Sequence, residues 1–205
     1  MLDYIKRFLI AGIVAFFVSL LFLGGKQAQA DTLEAGAMTS QWLWPAEGTV
    51  TDLFGTRQGL HKGIDIAGEY GSPIFSVDEG TVVKSYFSES YGHVVFIKHP
   101  NQYETVYAHL KKRNVAEGQK VNQEQMIGEM GNTGDSSGIH LHFEVHKNKW
   151  TFEKENAINP ELALGKMNIG QAVQVVLANN DSNKVAEAAV KLKEENDRNK
   201  VNEEK

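Results

Sequence analysis

Two histidines stand two residues apart in the segment GIHLHFEV, residues 138–145. Apolar residues alternate there with His140, His142 and Glu144, which is typical of a strand with one buried face. Because successive side chains of a strand point to opposite faces, the two imidazoles and the carboxylate share one face. The apolar side chains are expected to pack in the core. The histidines then face away from the core, where they are available for another role.

A second segment, HKGIDIA at residues 61–67, shows the same alternation of polar and apolar residues. On a strand, His61, Gly63 and Asp65 share one face, and the glycine leaves the space between the other two open. If this face meets the histidine face of 138–145, two imidazoles and a carboxylate converge, a donor set that suits a tetrahedral zinc ion with a fourth position for water. Zinc lowers the pKa of its bound water towards about 7 and polarises a carbonyl, so an amide can be attacked without a protein nucleophile.

That chemistry needs a neighbouring imidazole as proton acceptor or as donor to the developing oxyanion. His140, beside His142, and His109 in VYAHL are the candidates. A single histidine at a strand end is more often a surface or hydrogen-bonded residue. Spacing alone therefore leaves both a metal site and a structural role open.

Composition narrows the function classes. The chain of 205 residues has a net charge of -5 and no dense Lys/Arg cluster in its central region, which argues against nucleic acid as a partner. It has no cysteine, so a metal would have to be held by His, Asp or Glu.

The region 44–164 predicts an all-β domain. Short apolar or alternating segments are separated by glycine, asparagine and serine turn signals, and no gap holds a long amphipathic helix. The segments predicted as strands are TVTDLFG, PIFSVDEG, TVVKSYF, HVVFIKH, ETVYAHL and IHLHFEV.

Residues 1–30 predict a signal peptide or a membrane anchor. A Lys-Arg pair precedes a long apolar run, and Ala28 and Ala30 form the small-x-small pattern of a signal-peptidase site. We favour export with cleavage after Ala30, with an uncleaved anchor through residues 8–25 as the alternative. Both alternatives place the rest of the chain outside the cytoplasm, either secreted or in the cell envelope.

Two further segments flank the predicted domain. Residues 31–43 are small and polar, as in a linker. Residues 165–205 predict a charged tail that is helical or disordered, beginning with a short amphipathic helix at NIGQAVQVVLANN, residues 168–180. This tail is also a candidate binding segment for an envelope protein.

Four segments together carry a resemblance to a known family. They are HKGIDIA, GSPIFSVDEGTVV, YAHL and GEMGNTGDSSGIHLHFEV, and their order and approximate separations resemble those of the lysostaphin-type (M23) zinc metallopeptidases, the LytM-like cell-wall endopeptidases. The resemblance runs from about Trp44 to Pro160. The combination of HxxxD, a later HLH and the glycine-rich lead-in is highly specific.

The resemblance implies that one zinc ion is held by His61, Asp65 and His142, with His109 and His140 as the catalytic histidines. It implies a small, mostly antiparallel β domain with a substrate groove across the sheet. It also implies hydrolysis of peptide bonds in peptidoglycan, which agrees with the exported N-terminus.

Residues around these motifs carry weaker expectations. Arg57, in DLFGTRQG, either orients substrate or holds its loop. Ile139 stands where many relatives have proline, and His93 stands where relatives often have asparagine, so His93 is structural or at most lines the groove. Glu144 is expected to hydrogen-bond a metal ligand. The loops SESYG and KRNVAEGQ are expected to flank the groove.

Two functions compete at this point. The first is a zinc endopeptidase that cuts peptidoglycan peptides. The second is a non-enzymatic envelope scaffold or activator that uses the same fold, as some relatives of the family do. Retention of all five motif residues favours the enzyme, whereas an anchor and a charged tail would also suit a scaffold.

Overall fold

The computed structural model describes residues 42–177, and this part of the chain is built almost entirely from strands. Twelve strands are present there: β1 Gly48–Asp52, β2 Ile64–Ala67, β3 Pro73–Phe75, β4 Gly80–Ser88, β5 Gly92–Lys98, β6 Tyr103–Leu110, β7 Lys112–Arg113, β8 Lys120–Val121, β9 Met126–Glu129, β10 His140–Lys147, β11 Ala157–Ile158 and β12 Ala172–Val173. Two four-residue turns accompany them: α1 Thr56–Gly59, in which Arg57 and Gln58 have left-handed backbones, and the helical turn α2 Glu161–Leu164. The all-β prediction is confirmed.

The strands form two antiparallel sheets. The larger has nine strands in the order β12-β1-β2-β10-β6-β5-β4-β8, with β11 paired to β10, and the smaller has the order β3-β9-β7. Strand β10 lies between β2 and β6, so the HLH segment and the HKGIDIA segment become neighbours in the sheet. His142 is directly opposite Asp65 across this pairing.

The face of β10 opposite the histidines packs the core, as the alternation predicted. Leu141, Phe143 and Val145 are fully buried, as are Ile64 and Ile66 of β2. The ring centroids of Phe143 and Tyr107 of β6 lie 5.3 Å apart. Burial of these apolar side chains is the main stabilising contribution at the centre of the sheet, and it fixes the register.

Two sequence predictions need correction. HKGIDIA is a strand only from Ile64 onward, so His61 and Gly63 lie in the preceding loop rather than on a strand face. The segment 168–180 does not begin a helix in its described part, because Ala172–Val173 pairs antiparallel with β1. Val173 is buried there, so burial of an apolar side chain on a sheet edge prevails over helix propensity.

Several predictions fall on residues that the structure does not describe. They are the signal peptide or anchor at 1–30, nearly all of the linker at 31–43, and the tail beyond residue 177. Within residues 42–177, no helix is long and apolar enough to cross a membrane.

Candidate metal and catalytic centre

His61, Asp65 and His142 converge at the end of the β2–β10 pairing. His61 Nε2 lies 3.1 Å from Asp65 Oδ1 and 3.1 Å from His142 Nδ1, and His142 Nδ1 lies 2.7 Å from Asp65 Oδ1. All three residues are buried. Within residues 42–177, they form the one cluster of three or more His or acidic residues whose donor atoms are close enough to share a metal ion.

The outer nitrogen of each metal-site histidine is already engaged. His61 Nδ1 donates to the backbone carbonyl of Leu53 at 2.8 Å, which leaves Nε2 facing the cluster. His142 has the opposite orientation, because its Nε2 donates to Glu144 Oε1 at 3.0 Å and its Nδ1 faces the cluster. The expected hydrogen bond between His142 and Glu144 is therefore present, and such partners fix the tautomer and orientation of imidazoles that bind metals.

Gly63 allows the loop carrying His61 to lie against β10. A β-carbon at this position would be 2.4 Å from the carbonyl oxygen of Phe143 and 2.9 Å from Cε1 of the His142 ring. The sequence-based expectation was an open space beside Gly63, whereas the backbone of β10 fills it. Any larger residue would have to shift the β10 backbone, the His142 ring or its own loop.

The hydrogen bonds of the cluster oppose the effect of burial on its charges. Burial alone would raise the pKa of Asp65, but hydrogen bonds from His142 and His61 outweigh it and hold the pKa of Asp65 well below its usual range. Burial alone would lower the pKa of His142, but hydrogen bonds to Asp65 and Glu144 raise it to about 9. A metal bound at His142 Nδ1 therefore has to displace a proton, which makes metal affinity depend on pH.

The two predicted catalytic histidines lie beside this cluster. The ring centroids of His109 and His140 are 4.8 Å apart, and those of His109 and His142 are 5.9 Å apart. His140 Nε2 lies 3.7 Å from Asp65 Oδ1. The structure therefore brings the five motif residues together, while their individual roles stay predictions.

Backbone carbonyls also orient these two rings. His109 Nδ1 donates to Thr133 O at 2.8 Å, and His140 Nδ1 donates to Gly138 O at 2.8 Å, so each ring presents Nε2. His109 has a left-handed backbone with φ 61°, an unusual conformation for a residue with a β-carbon and one that tends to occur at functional sites. Burial lowers the pKa of His109 to about 4, so its imidazole is neutral near pH 7 and can accept a proton.

Arg57 and His93, the two residues with weaker expectations, differ in their distance from the cluster. Arg57 lines the cleft, and its guanidinium contacts Asp52 Oδ2 at 2.7 Å and Asp65 Oδ2 at 3.0 Å. It therefore holds its own loop and the second oxygen of Asp65. His93 lies outside the cluster, where its Nδ1 accepts a hydrogen bond from Arg113 Nε at 3.3 Å, which favours the structural interpretation.

An open cleft of about 890 Å³ contains the cluster. The predicted flanking loop SESYG contributes four residues to its wall, whereas KRNVAEGQ contributes none. Sequence reasoning did not assign Trp150, Phe152 and Lys154 to this wall, although all three line it. No motif or periodicity marks them, because they belong to the loop between β10 and β11.

The donor set fits zinc. It consists of two imidazole nitrogens and one carboxylate oxygen, all directed to one point by partners on their outer sides. Catalytic zinc sites commonly have three such protein ligands, and transition metals of this kind prefer imidazole nitrogen. His61, Asp65 and His142 are therefore the residues that would hold the ion.

Comparison with known proteins agrees with this geometry. The family model for Peptidase family M23 matches residues 59–160. The chain is 41% identical over 122 residues to the murein hydrolase activator NlpD of Escherichia coli, covering 59% of this chain and 30% of that protein. It is 41% identical over 102 residues to the peptidoglycan DD-endopeptidase ShyC of Vibrio cholerae, covering 47% of this chain and 24% of that protein.

Among solved structures, the catalytic domain of the antimicrobial peptidase lysostaphin from Staphylococcus simulans is similar, with a TM-score of 0.51 and 28% identity. The similarity covers 64% of this chain and 98% of that domain. The chain thus spans nearly all of the lysostaphin catalytic domain. It spans only about 34–40% of the length of the curated NlpD-type relatives that it matches.

Replacing Gly63 with alanine is predicted to damage the metal site. The new methyl group meets the β10 backbone and the His142 ring, so we expect zinc affinity to fall by about tenfold or more, as when a supporting contact of a ligand is lost. Competition with a chromophoric chelator measures this. Gly138→Ala is the matched control, because its β-carbon would meet nothing within 4 Å, and it should bind zinc like the unmodified chain. Equal zinc affinity in Gly63→Ala would contradict the role of this contact.

His109 is predicted to stay neutral in the metal-free protein until the pH falls to about 4, because burial disfavours its charged form. NMR of the imidazole nitrogens should show a protonated Nδ1 and an unprotonated Nε2 at neutral pH. The His109→Asn variant assigns the signals. Titration near 6.5, the ordinary value for histidine, would refute the prediction.

Proposed function

The chain belongs to peptidase family M23, and from this premise we propose that it is a zinc-dependent endopeptidase that hydrolyses peptide bonds in peptidoglycan. The observation that carries the proposal is the convergence of His61, Asp65 and His142, with two further imidazoles presenting Nε2 beside them. In this proposal the three residues hold one zinc ion per domain. His109 and His140 are the catalytic histidines.

Zinc in such a site supplies a Lewis acid that polarises a carbonyl and makes water nucleophilic near neutral pH. The chain supplies proton transfer and orientation. Neutral His109 accepts a proton at Nε2, while Thr133 O holds its Nδ1 proton and fixes the tautomer. His140, held at Nδ1 by Gly138 O, presents Nε2 beside the cluster as a second site that holds or releases a proton.

The open cleft suits an extended peptide as substrate. Its wall combines polar side chains with exposed apolar ones, including Leu60 and Phe152, which are 78% and 84% exposed. The name of the ShyC relative, a peptidoglycan DD-endopeptidase, supports the peptidoglycan assignment. We propose action outside the cytoplasm, consistent with the exported N-terminus expected from residues 1–30.

A second candidate function is activation of another cell-wall hydrolase. It is favoured by the similarity to NlpD, which is named a murein hydrolase activator. An activator that acts only by binding needs none of the three donor residues and no oriented Nε2 atoms. The complete cluster supports the enzyme as the first proposal.

The deciding experiment is incubation of purified cell walls with the full chain in mild detergent, loaded with zinc, followed by mass spectrometry of the soluble products. We expect new peptide termini that vanish on chelation, return with added zinc and are absent with His142→Ala. The reason is that His142 supplies one of the three donor atoms.

The contradicting outcome is a protein that binds zinc and releases no peptide by itself. If it also increases product release by an added murein hydrolase, the result would support the activator.

A further inference from the structure

Glu144 is the most heavily engaged buried carboxylate near the centre. Its side chain is fully buried, and its Oε1 accepts hydrogen bonds from three donors: His142 Nε2 at 3.0 Å, Tyr91 OH at 2.8 Å and Lys154 Nζ at 2.7 Å. Its Oε2 accepts from His146 Nε2 at 2.7 Å. A buried carboxylate costs folding free energy unless charge and hydrogen bonds compensate it. Among its four partners, Lys154 is the one cationic side chain that is not a histidine.

Lys154 comes from the loop 148–156, which follows β10 and ends at β11. The loop is internally bonded, because Asn156 Nδ2 donates to Lys149 O at 3.1 Å and Lys154 N donates to Thr151 O at 3.0 Å. Lys154 itself has a left-handed backbone with φ 53°. A lysine held in this costly conformation with its ammonium on a buried carboxylate indicates a constrained placement.

A second contact joins the same loop to the same oxygen. Trp150 Nε1 donates to Tyr91 OH at 3.1 Å, and Tyr91 OH donates to Glu144 Oε1. The Lys154 ammonium also lies 4.8 Å from the Tyr91 ring centroid. Loop 148–156 therefore reaches Glu144 Oε1 twice, once directly and once through Tyr91. Both routes end on the atom that orients His142.

We propose that Lys154 is a positioning residue that fixes Glu144, and through it the His142 ring, and so couples the cleft-lining loop 148–156 to the metal centre. The proposal rests on the proposed function in taking His142 as a zinc ligand. The loop also carries Phe152, exposed on the cleft wall, so the segment that faces substrate is the segment that holds the ligand's partner.

The test is the zinc affinity of the metal-free full chain, measured by competition with a chromophoric chelator at one fixed pH. Lys154→Met should bind zinc more weakly by up to about tenfold, the lower end of the cost of losing a direct outer partner, because Glu144 itself remains. Lys154→Arg, which keeps the charge and the reach, should recover part of that loss. Lys149→Met removes an exposed lysine from the same loop and should bind like the unmodified chain.

Thermal unfolding of the metal-free variants separates positioning from a purely structural role. A lower melting temperature for Lys154→Met with unchanged zinc affinity would overturn the proposal. If Lys154→Met does not fold, Trp150→Phe decides, since it removes the indole N–H that bonds Tyr91 and keeps an aromatic ring at that position. A smaller loss of zinc affinity supports the proposal, and affinity equal to the unmodified chain overturns it. Failure of the unmodified chain itself to bind zinc would overturn the proposed function instead.

Discussion

The antiparallel pairing of β2 with β10 is the constraint on which the site depends. It sets Asp65 opposite His142, and burial of Ile64, Ile66 and Phe143 on the other face prevents the register from slipping. A shift of one residue would turn the histidines into the core and the apolar side chains towards the cleft. The same residues thus stabilise the sheet and determine the geometry of the candidate metal centre.

Hydrogen bonds around the cluster determine which nitrogen of each histidine faces the candidate metal centre. The rings of His61, His109 and His140 each donate Nδ1–H to a backbone carbonyl, and His142 donates Nε2–H to Glu144. In every case the nitrogen left over faces the cluster. Backbone carbonyls are rigid acceptors, so the fold itself selects the tautomers that metal binding and proton transfer require.

Much of this arrangement could be predicted from the sequence. The alternation around His142 gave the buried face of β10, and the conjunction of motifs gave the family. Features without local periodicity were misplaced or missed. His61 reaches the site from a loop, Val173 adds to the sheet because a neighbouring strand offers an edge, and Lys154 finds Glu144 only because loop 148–156 folds back. Such contacts depend on tertiary proximity, which a single sequence does not encode in its spacing.

The central claim is that His61, Asp65 and His142 together hold zinc, and X-ray absorption at the zinc edge of the full chain with one equivalent of zinc tests it most directly. The account predicts two imidazole nitrogens and at least one carboxylate oxygen at about 2.0–2.2 Å, with loss of one imidazole in His61→Ala and in His142→Ala. A spectrum with oxygen scatterers alone, or one that neither substitution changes, would contradict it.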